Sequence, residues 1–366
     1  MGNLPQRVSL VEQVAASLRR ELLSGRWADQ MPGEHALSDE LKVSRSTLRI
    51  ALHLLRREGL FQVSRGRRRR PKKGVRAHRP APSAIVAIIS SQPLHEHRAG
   101  GIIIVDEVRR HLQQAGLTLQ WHVLPQSTRH KQGERLGQFV EQTRAACWIL
   151  SSCSLDLQKW FQDRGVPTVV QGSCHEGITL PFIRFDAAAA CRHAIGLLHA
   201  RGHRRITLLL PRAPYAGAVE IENSFHRACA RLPELRTHSF SRYHEATSAG
   251  IERTLASVMQ AKLRPTALIV MMPDDTLSVQ NYLLRQGFRL PRDISLVSLF
   301  DDHFLARITP TISRYTSDSY KLARRLARVV VKLTGRAGNR VAISIFPDFI
   351  PGATIGPPPT DVISAG

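Results

Sequence analysis

Pro32-Gly33-Glu34-His35-Ala36-Leu37-Ser38-Asp39-Glu40-Leu41-Lys42-Val43-Ser44-Arg45-Ser46-Thr47-Leu48-Arg49 reads as two short helices joined by a tight turn. Ser44 is a good N-cap, with Thr47 three positions on, so the second helix starts there and presents Arg45, Ser46, Thr47 and Arg49 at its N-terminal end. Leu48, Leu52 and Leu55, with Ile50 and Ala51 beside them, recur at helical spacing and give that helix a stripe to bury. A helix with a dry back and a basic, hydroxyl-rich tip fits the DNA major groove, where arginine forks onto guanine and hydroxyls reach bases or phosphate. The competing reading is an ordinary helical hairpin whose charged face is merely solvated.

The flanks bear on that choice. Ser9 to Gly25 forms a preceding amphipathic helix with Val11, Val14, Ala15, Leu18 and Leu22 inward and Gly25 as its terminator. After Glu58-Gly59, Leu60-Phe61-Gln62-Val63 reads as a short strand leading to Ser64-Arg65-Gly66, which can turn a wing. Leu23-Ser24-Gly25, Met31-Pro32-Gly33-Glu34, Leu37-Ser38, Val43-Ser44-Arg45, Thr47-Leu48-Arg49, Ala51-Leu52, Leu55 and Glu58-Gly59-Leu60 follow in an order and spacing that resembles the GntR-type winged helix. The resemblance implies double-stranded DNA as a partner. It also marks two departures. His35 stands where relatives carry an arginine, which weakens one base or phosphate contact or makes it pH-sensitive. In place of a returning G-T-F-V strand, Gly66 is followed by Arg67-Arg68-Arg69-Arg70-Pro71-Lys72-Lys73.

That basic run has no apolar side chain to pack, so no return strand is expected. It reads either as a flexible arm lying along phosphates or in a minor groove, or as a solvated linker that adds affinity without sequence preference. Arg65, Gly66, Arg67 and Arg68 join His35, Ser44, Arg45, Ser46, Thr47 and Arg49 as the expected DNA-contacting set. Charge agrees with a polyanionic partner: the 366-residue chain carries a formal +23, and residues 1–82 hold 18 Lys and Arg against 7 Asp and Glu.

Five cysteines, Cys147, Cys153, Cys174, Cys191 and Cys229, are odd in number and show no C-x-x-C spacing, which fits reduced thiols. No ligand spacing suits a structural zinc, so neither a metal nor a cofactor is expected. There is no apolar run long enough to span a bilayer and no leader pattern, and the expected location is the cytoplasm.

Beyond residues 67–82, read as a basic linker, strands and helices alternate. Ser83 to Ser91, Leu117 to Leu124, Ala146 to Ser151 and Val166 to Val170 read as strands. Gly100 to Ala115, Gln132 to Thr143 and Leu155 to Arg164 read as helices between them. A βαβ rhythm of this kind is an α/β fold with a parallel sheet, and ligands in such sheets sit at the carboxyl ends of strands. A further helix opens at Asp186-Ala187, and a long basic helix covers Ser317 to Leu333.

Gly202-His203-Arg204-Arg205-Ile206, Pro265-Thr266-Ala267, Gly287 to Ser298, Phe300-Asp301-Asp302 and Thr309-Pro310-Thr311-Ile312-Ser313 together resemble the effector domain of LacI-type regulators, over residues 83–358. Residues 1–66 then form the winged helix, and 359–366 a tail. The resemblance implies a two-subdomain, periplasmic-binding-protein-like body around a small-molecule cleft, a homodimer, and an inverted-repeat operator. The arrangement is similar to that of arabinose-responsive repressors, but the usual LacI hinge-helix motif is absent, so coupling must pass through Gly66 to Pro82.

Asp301 falls where relatives hold a sugar hydroxyl, and Asp274 or Asp275 falls near their A-N-D motif. Ser91 and Gln92, at a strand end, are placed to line the same cleft. Each aspartate has a structural alternative as a cap of the following turn or helix. Ile221-Glu222-Asn223-Ser224-Phe225 lacks the arginine of the relatives' R-x-x-G-F motif, and Pro273 is expected to disturb the A-N-D site, so the effector differs from an ordinary hexose or its binding is lost. The rival functions are a nonspecific architectural DNA binder with a degenerate sensor and, since doubly wound sheets often catalyse, an α/β enzyme. No G-x-G-x-x-G follows the first strand, and no P-loop or G-x-S-x-G is present.

Overall fold

The computed structural model describes residues 10–23, 31–57, 61–62, 70–71, 83–124, 132–212, 216–335 and 341–360. The chain divides into two compact units, Met1–Ser83 and Ala84–Gly366.

In the first unit, helices α1 (Leu10–Leu23), α2 (Glu34–Leu41) and α3 (Arg45–Arg57) precede strands β1 (Phe61–Gln62) and β2 (Arg70–Pro71). Val14, Ala15 and Leu18 of α1 meet Leu37 of α2 and Leu48, Ala51, Leu52 and Leu55 of α3 in one small core. The turn between α2 and α3 is closed by Lys42, which adopts the left-handed conformation and returns its N–H to the Ser38 carbonyl. Ser38 Oγ adds a 2.6 Å hydrogen bond to the Val43 carbonyl across the same turn. Ile50, expected beside the buried stripe, is 53% exposed. The expectation of no return strand is corrected: β1 and β2 pair antiparallel, Phe61 with Pro71 and Gln62 with Arg70. A two-residue ladder is made of main-chain groups, so it forms without the apolar side chains that the sequence reading required of it.

The second unit is a two-lobed α/β body that the chain crosses three times. Its first lobe begins with β3 (Ile85–Ser90), α4 (Ala99–Gln114), β4 (Thr118–Val123), α5 (Gln132–Thr143), β5 (Cys147–Ser151), α6 (Leu155–Asp163), β6 (Thr168–Gln171) and β7 (Phe182–Phe185). The second lobe holds α7 (Ala187–Ala200), β8 (Ile206–Pro211), α8 (Ala216–Ala230), α9 (Pro233–Arg236), β9 (Phe240–His244), α10 (Ser248–Met259), β10 (Ala267–Val270), α11 (Pro273–Arg285), β11 (Ser295–Ser298) and β12 (Ser313–Thr316). The chain then returns through α12 (Ser319–Gly335) and β13 (Ala342–Ile345) to the first lobe, and ends with β14 (Asp348–Ile350) in the second.

The first sheet runs β13-β7-β6-β5-β3-β4, every pair parallel. The second runs β14-β12-β11-β10-β8-β9, parallel except where β14 meets β12. Central strands are covered on both faces, which is why Ile85–Ser90 and Ile206–Pro211 are apolar almost throughout rather than alternating. Helix starts follow from local chemistry: Asp186 accepts from the Ala189 N–H, Thr247 from Gly250, and Asp318 from Lys321. His203 is fully buried, 2.9 Å from Thr266 Oγ1 and 2.9 Å from the Gly356 carbonyl, and Ser295 Oγ lies 3.1 Å away. The Gly-His-Arg-Arg-Ile motif thereby ties two strands of the second lobe to the end of the chain, and burial lowers the His203 pKa.

Candidate functional site

Two groups of residues are candidates for a functional site, one in each unit. In the first, Ser44 accepts the Thr47 N–H at 3.2 Å and shares hydroxyl contacts of 2.8 Å with Ser46 and Thr47, the capping geometry expected at the start of α3. Arg45, Ser46 and Arg49 are exposed and Thr47 half-buried, above the dry stripe of α3. The Arg45 guanidinium contacts the His35 ring, and Arg49 Nε donates to Glu34 Oε2 at 2.8 Å. His35 therefore sits on the same face as the helix tip. Glu34 holds Arg49 by an ion pair that a phosphate or base edge can replace. Arg65, Gly66, Arg67 and Arg68 lie outside the described residues.

In the second unit the carboxyl ends of the two parallel sheets bring opposite charges together. Arg184 on β7 reaches from the first lobe to Glu220 on α8 of the second in an ion pair, 19% and 29% exposed. Ser173, following β6, donates to Glu220 Oε2 at 2.8 Å, and Arg184 also donates to Ser173 Oγ at 3.2 Å and to Ser344 Oγ on β13 at 3.1 Å. Arg98, which precedes α4, lies 5.5 Å from the centre of the Phe300 ring in the second lobe.

The expected effector residues occupy these strand ends. Ser91 is half-buried and Gln92 exposed just past β3, where the Gln92 N–H donates to Ser90 Oγ at 3.3 Å. Asp274 is exposed, whereas Asp275 is buried, 3.4 Å from Nε2 of the buried His244. Burial raises the Asp275 pKa, against the opposing pull of His244 and, more weakly, of Arg98. Asp301 is held by Arg314 Nε at 2.6 Å, and Arg314 is itself fixed to the Ile312 carbonyl at 3.1 Å. Pro273, expected to disturb the A-N-D site, is accommodated by the helix itself. It occupies the first turn of α11, where a missing N–H costs nothing.

Ile221, at the position the resemblance gives to an arginine, is buried in the core of the second lobe. Glu222 beside it accepts from Tyr243 and Ser241, and this burial and bonding push the Tyr243 pKa up to about 12. Sequence reasoning missed Arg98, Arg184 and Glu220. Glu220 had one signal, its place immediately before the motif that lacks arginine. The cysteines are all free thiols, and burial pushes Cys147 and Cys153 up to about 12. Among the described residues no group of three or more His, Cys, Asp or Glu could hold a metal, and no helix is long and apolar enough to cross a membrane.

Residues 10–70 match the family described as bacterial regulatory proteins, gntR family, and residues 195–355 match the periplasmic binding protein-like domain. No curated protein matches the chain. Among solved structures, the transcriptional regulator CelR in complex with cellobiose is 18% identical, with a TM-score of 0.65, over 94% of this chain and 99% of that one. A LacI family transcriptional regulator from Enterococcus faecium with bound ribose is 12% identical, with a TM-score of 0.62, over 75% of this chain and 99% of its own. A LacI family regulator from Bifidobacterium animalis subsp. lactis is 16% identical, with a TM-score of 0.64, over 76% and 100%. Residues 10–70 are thus similar to the gntR family of bacterial regulatory proteins and residues 195–355 to the periplasmic binding protein-like domain, and the body shares the fold of the LacI-type structures.

Proposed function

We propose that this regulator is a cytoplasmic repressor which binds an inverted-repeat operator as a homodimer, and that a sugar or sugar derivative in the cleft of the body sets its DNA affinity. The observation that carries the reading is the pairing of a basic, hydroxyl-capped helix tip in one unit with facing polar strand ends in the other. On the DNA side, Arg45 and Arg49 read base edges, Ser46 and Thr47 contact bases or phosphate, Ser44 caps the helix that carries them, and His35 supports Arg45. Arg65, Gly66, Arg67 and Arg68 contribute phosphate contacts. On the effector side, Asp275 and Asp301 accept from ligand hydroxyls, with Asp274, Ser91 and Gln92 at the rim. Arg98, Arg184 and Glu220 join them by closing the lobes on the ligand.

Two ligand classes found in the similar structures, a disaccharide in CelR and a pentose in the Enterococcus faecium regulator, motivate the choice of a saccharide. A multidentate set of carboxylates and arginines at strand ends suits a polyol. A thermal-shift screen of mono- and disaccharides on the full chain tests this, followed by footprinting of any hit. A saccharide that raises Tm and alters protection of a defined operator supports the proposal. No shift with any saccharide contradicts the ligand class. Salt-sensitive coating of any DNA, without a footprint, favours the nonspecific architectural binder instead.

A further inference from the structure

A cavity of about 480 Å³ lies on the second lobe between α7 and α8, and none of its lining residues is among those assigned to the cleft. Its rim carries Arg192, Arg227 and Arg231, and its floor includes Ile195, Gly196 and Leu232. All three arginines are exposed. Acids near them in the chain are committed elsewhere: Glu220 to Arg184, Glu222 to Ser241, Tyr243 and His226, and Glu234 to His199. Among the described residues no carboxylate pairs with any of the three guanidiniums.

Three uncompensated like charges around one cavity repel one another, and an anion in their midst relieves that repulsion. Arg192 is also held in place, since it donates at 3.1 Å to Ser224 Oγ, a buried hydroxyl that itself donates to the Ala188 carbonyl at 3.0 Å. Its guanidinium is thus positioned before any ligand arrives. The floor is apolar and open: Ile195 is 1% exposed, and a Cβ at Gly196 meets no atom within 4 Å. An arginine rim over an apolar floor matches a ligand with a charged end and a flat, weakly polar body. A phosphate monoester offers three oxygens to fork donors, and the cavity lies within the size range of small-molecule sites, about 300–1,000 Å³.

We propose that the second lobe carries a second ligand site, between α7 and α8, for an organic phosphate of nucleoside monophosphate size. This site is separate from the cleft, so it stands whether or not the cleft binds a saccharide.

Calorimetric titration of the full chain with AMP, adenosine and inorganic phosphate tests it. AMP is expected to bind with a Kd of about 1 mM or tighter, and adenosine and phosphate about tenfold or more weakly than AMP. Arg227→Gln with Arg231→Gln is expected to weaken AMP about tenfold or more through loss of charge-assisted hydrogen bonds. Gly196→Leu, which enters open space, is expected to do the same by filling the cavity. Absence of AMP binding, equal affinity for AMP and bare phosphate, or affinity unchanged in both variants would overturn the proposal. So would a double variant that loses operator affinity while binding AMP normally, because the arginines would then be assigned to DNA.

Discussion

The two lobes of the body share one sheet architecture yet face each other with opposite charge. The first contributes Arg98 and Arg184 to the contact zone, and the second contributes Glu220 and Asp275. The contrast teaches that closure is partly written into the protein. Arg184 and Glu220 pair across the lobes, so the protein's own charges attract one lobe to the other. The second lobe also carries the more strained electrostatics. It buries His203, His244 and Asp275, whereas the buried polar residues of the first are serine, glutamine and threonine.

Reversing one charge is the most direct way to break this contrast. Glu220→Arg sets two guanidiniums against each other across the lobes, and small-angle scattering is expected to show a radius of gyration larger by about 1–2 Å, as for a hinge opening. A double-mutant cycle with Arg184→Ala and Glu220→Ala is expected to give a coupling of about 1–2 kcal/mol, less than a fully buried pair because both groups retain some solvent. An unchanged radius of gyration would show that the lobes are held by other contacts.

The next effect sharpens the difference in pH response. His203 is buried neutral, and its pKa is below that of the unfolded chain. The unfolded state therefore takes up the proton first as pH falls through about 6.5, and stability present above that pH is lost progressively down to the lower folded pKa. His203→Gln is expected to lower stability at pH 7.5 by about 1–3 kcal/mol, through hydrogen bonds left unmade, and to flatten the loss below about pH 6.5. Chemical denaturation at several pH values checks both. Equal pH slopes for the two proteins would contradict the role of His203.

Asp275 has the opposite sign. Its folded pKa is raised, so its ionised form costs stability at neutral pH, and that cost fades as pH falls through the folded value. Asp275→Asn is expected to raise stability at pH 7 by about 1 kcal/mol, with a gain of about 2–4 °C in Tm, while weakening the effector. A gain in stability with undiminished ligand affinity would remove Asp275 from the site. The smallest effect belongs to Arg98→Ala, which removes the cation–π contact with Phe300 and is expected to cost about 0.5–1 kcal/mol of closure.

The legibility of these features follows the range of the interactions behind them. Ser44 as a cap, the stripe from Leu48 to Leu55 and the helix Gln132–Thr143 depend on neighbours within a turn or two, and sequence reasoning located them. The ribbon formed by Phe61–Gln62 and Arg70–Pro71 escaped it because main-chain pairing leaves no side-chain pattern in so short a ladder. Strands β7 and β13 were missed for a related reason. They pair over 160 positions of sequence, as the Arg184 to Ser344 hydrogen bond shows, and neither has a long apolar run. Arg184 and Glu220 lie 36 residues apart on different lobes, so only the crossing of the chain between lobes brings them together. Ile221, where the resemblance gives an arginine, is buried, and the charged residue that pairs with the first lobe is Glu220, one position before it.

On the proposed function, occupancy of the cleft changes how the N-terminal unit binds DNA. Fluorescence anisotropy with a footprinted operator, with and without a saturating saccharide found by thermal shift, measures this directly. Operator affinity is expected to change about tenfold or more, a coupling of about 1.4 kcal/mol, and the change is expected to disappear in Glu220→Arg. Identical operator affinity with and without saturating ligand would contradict it.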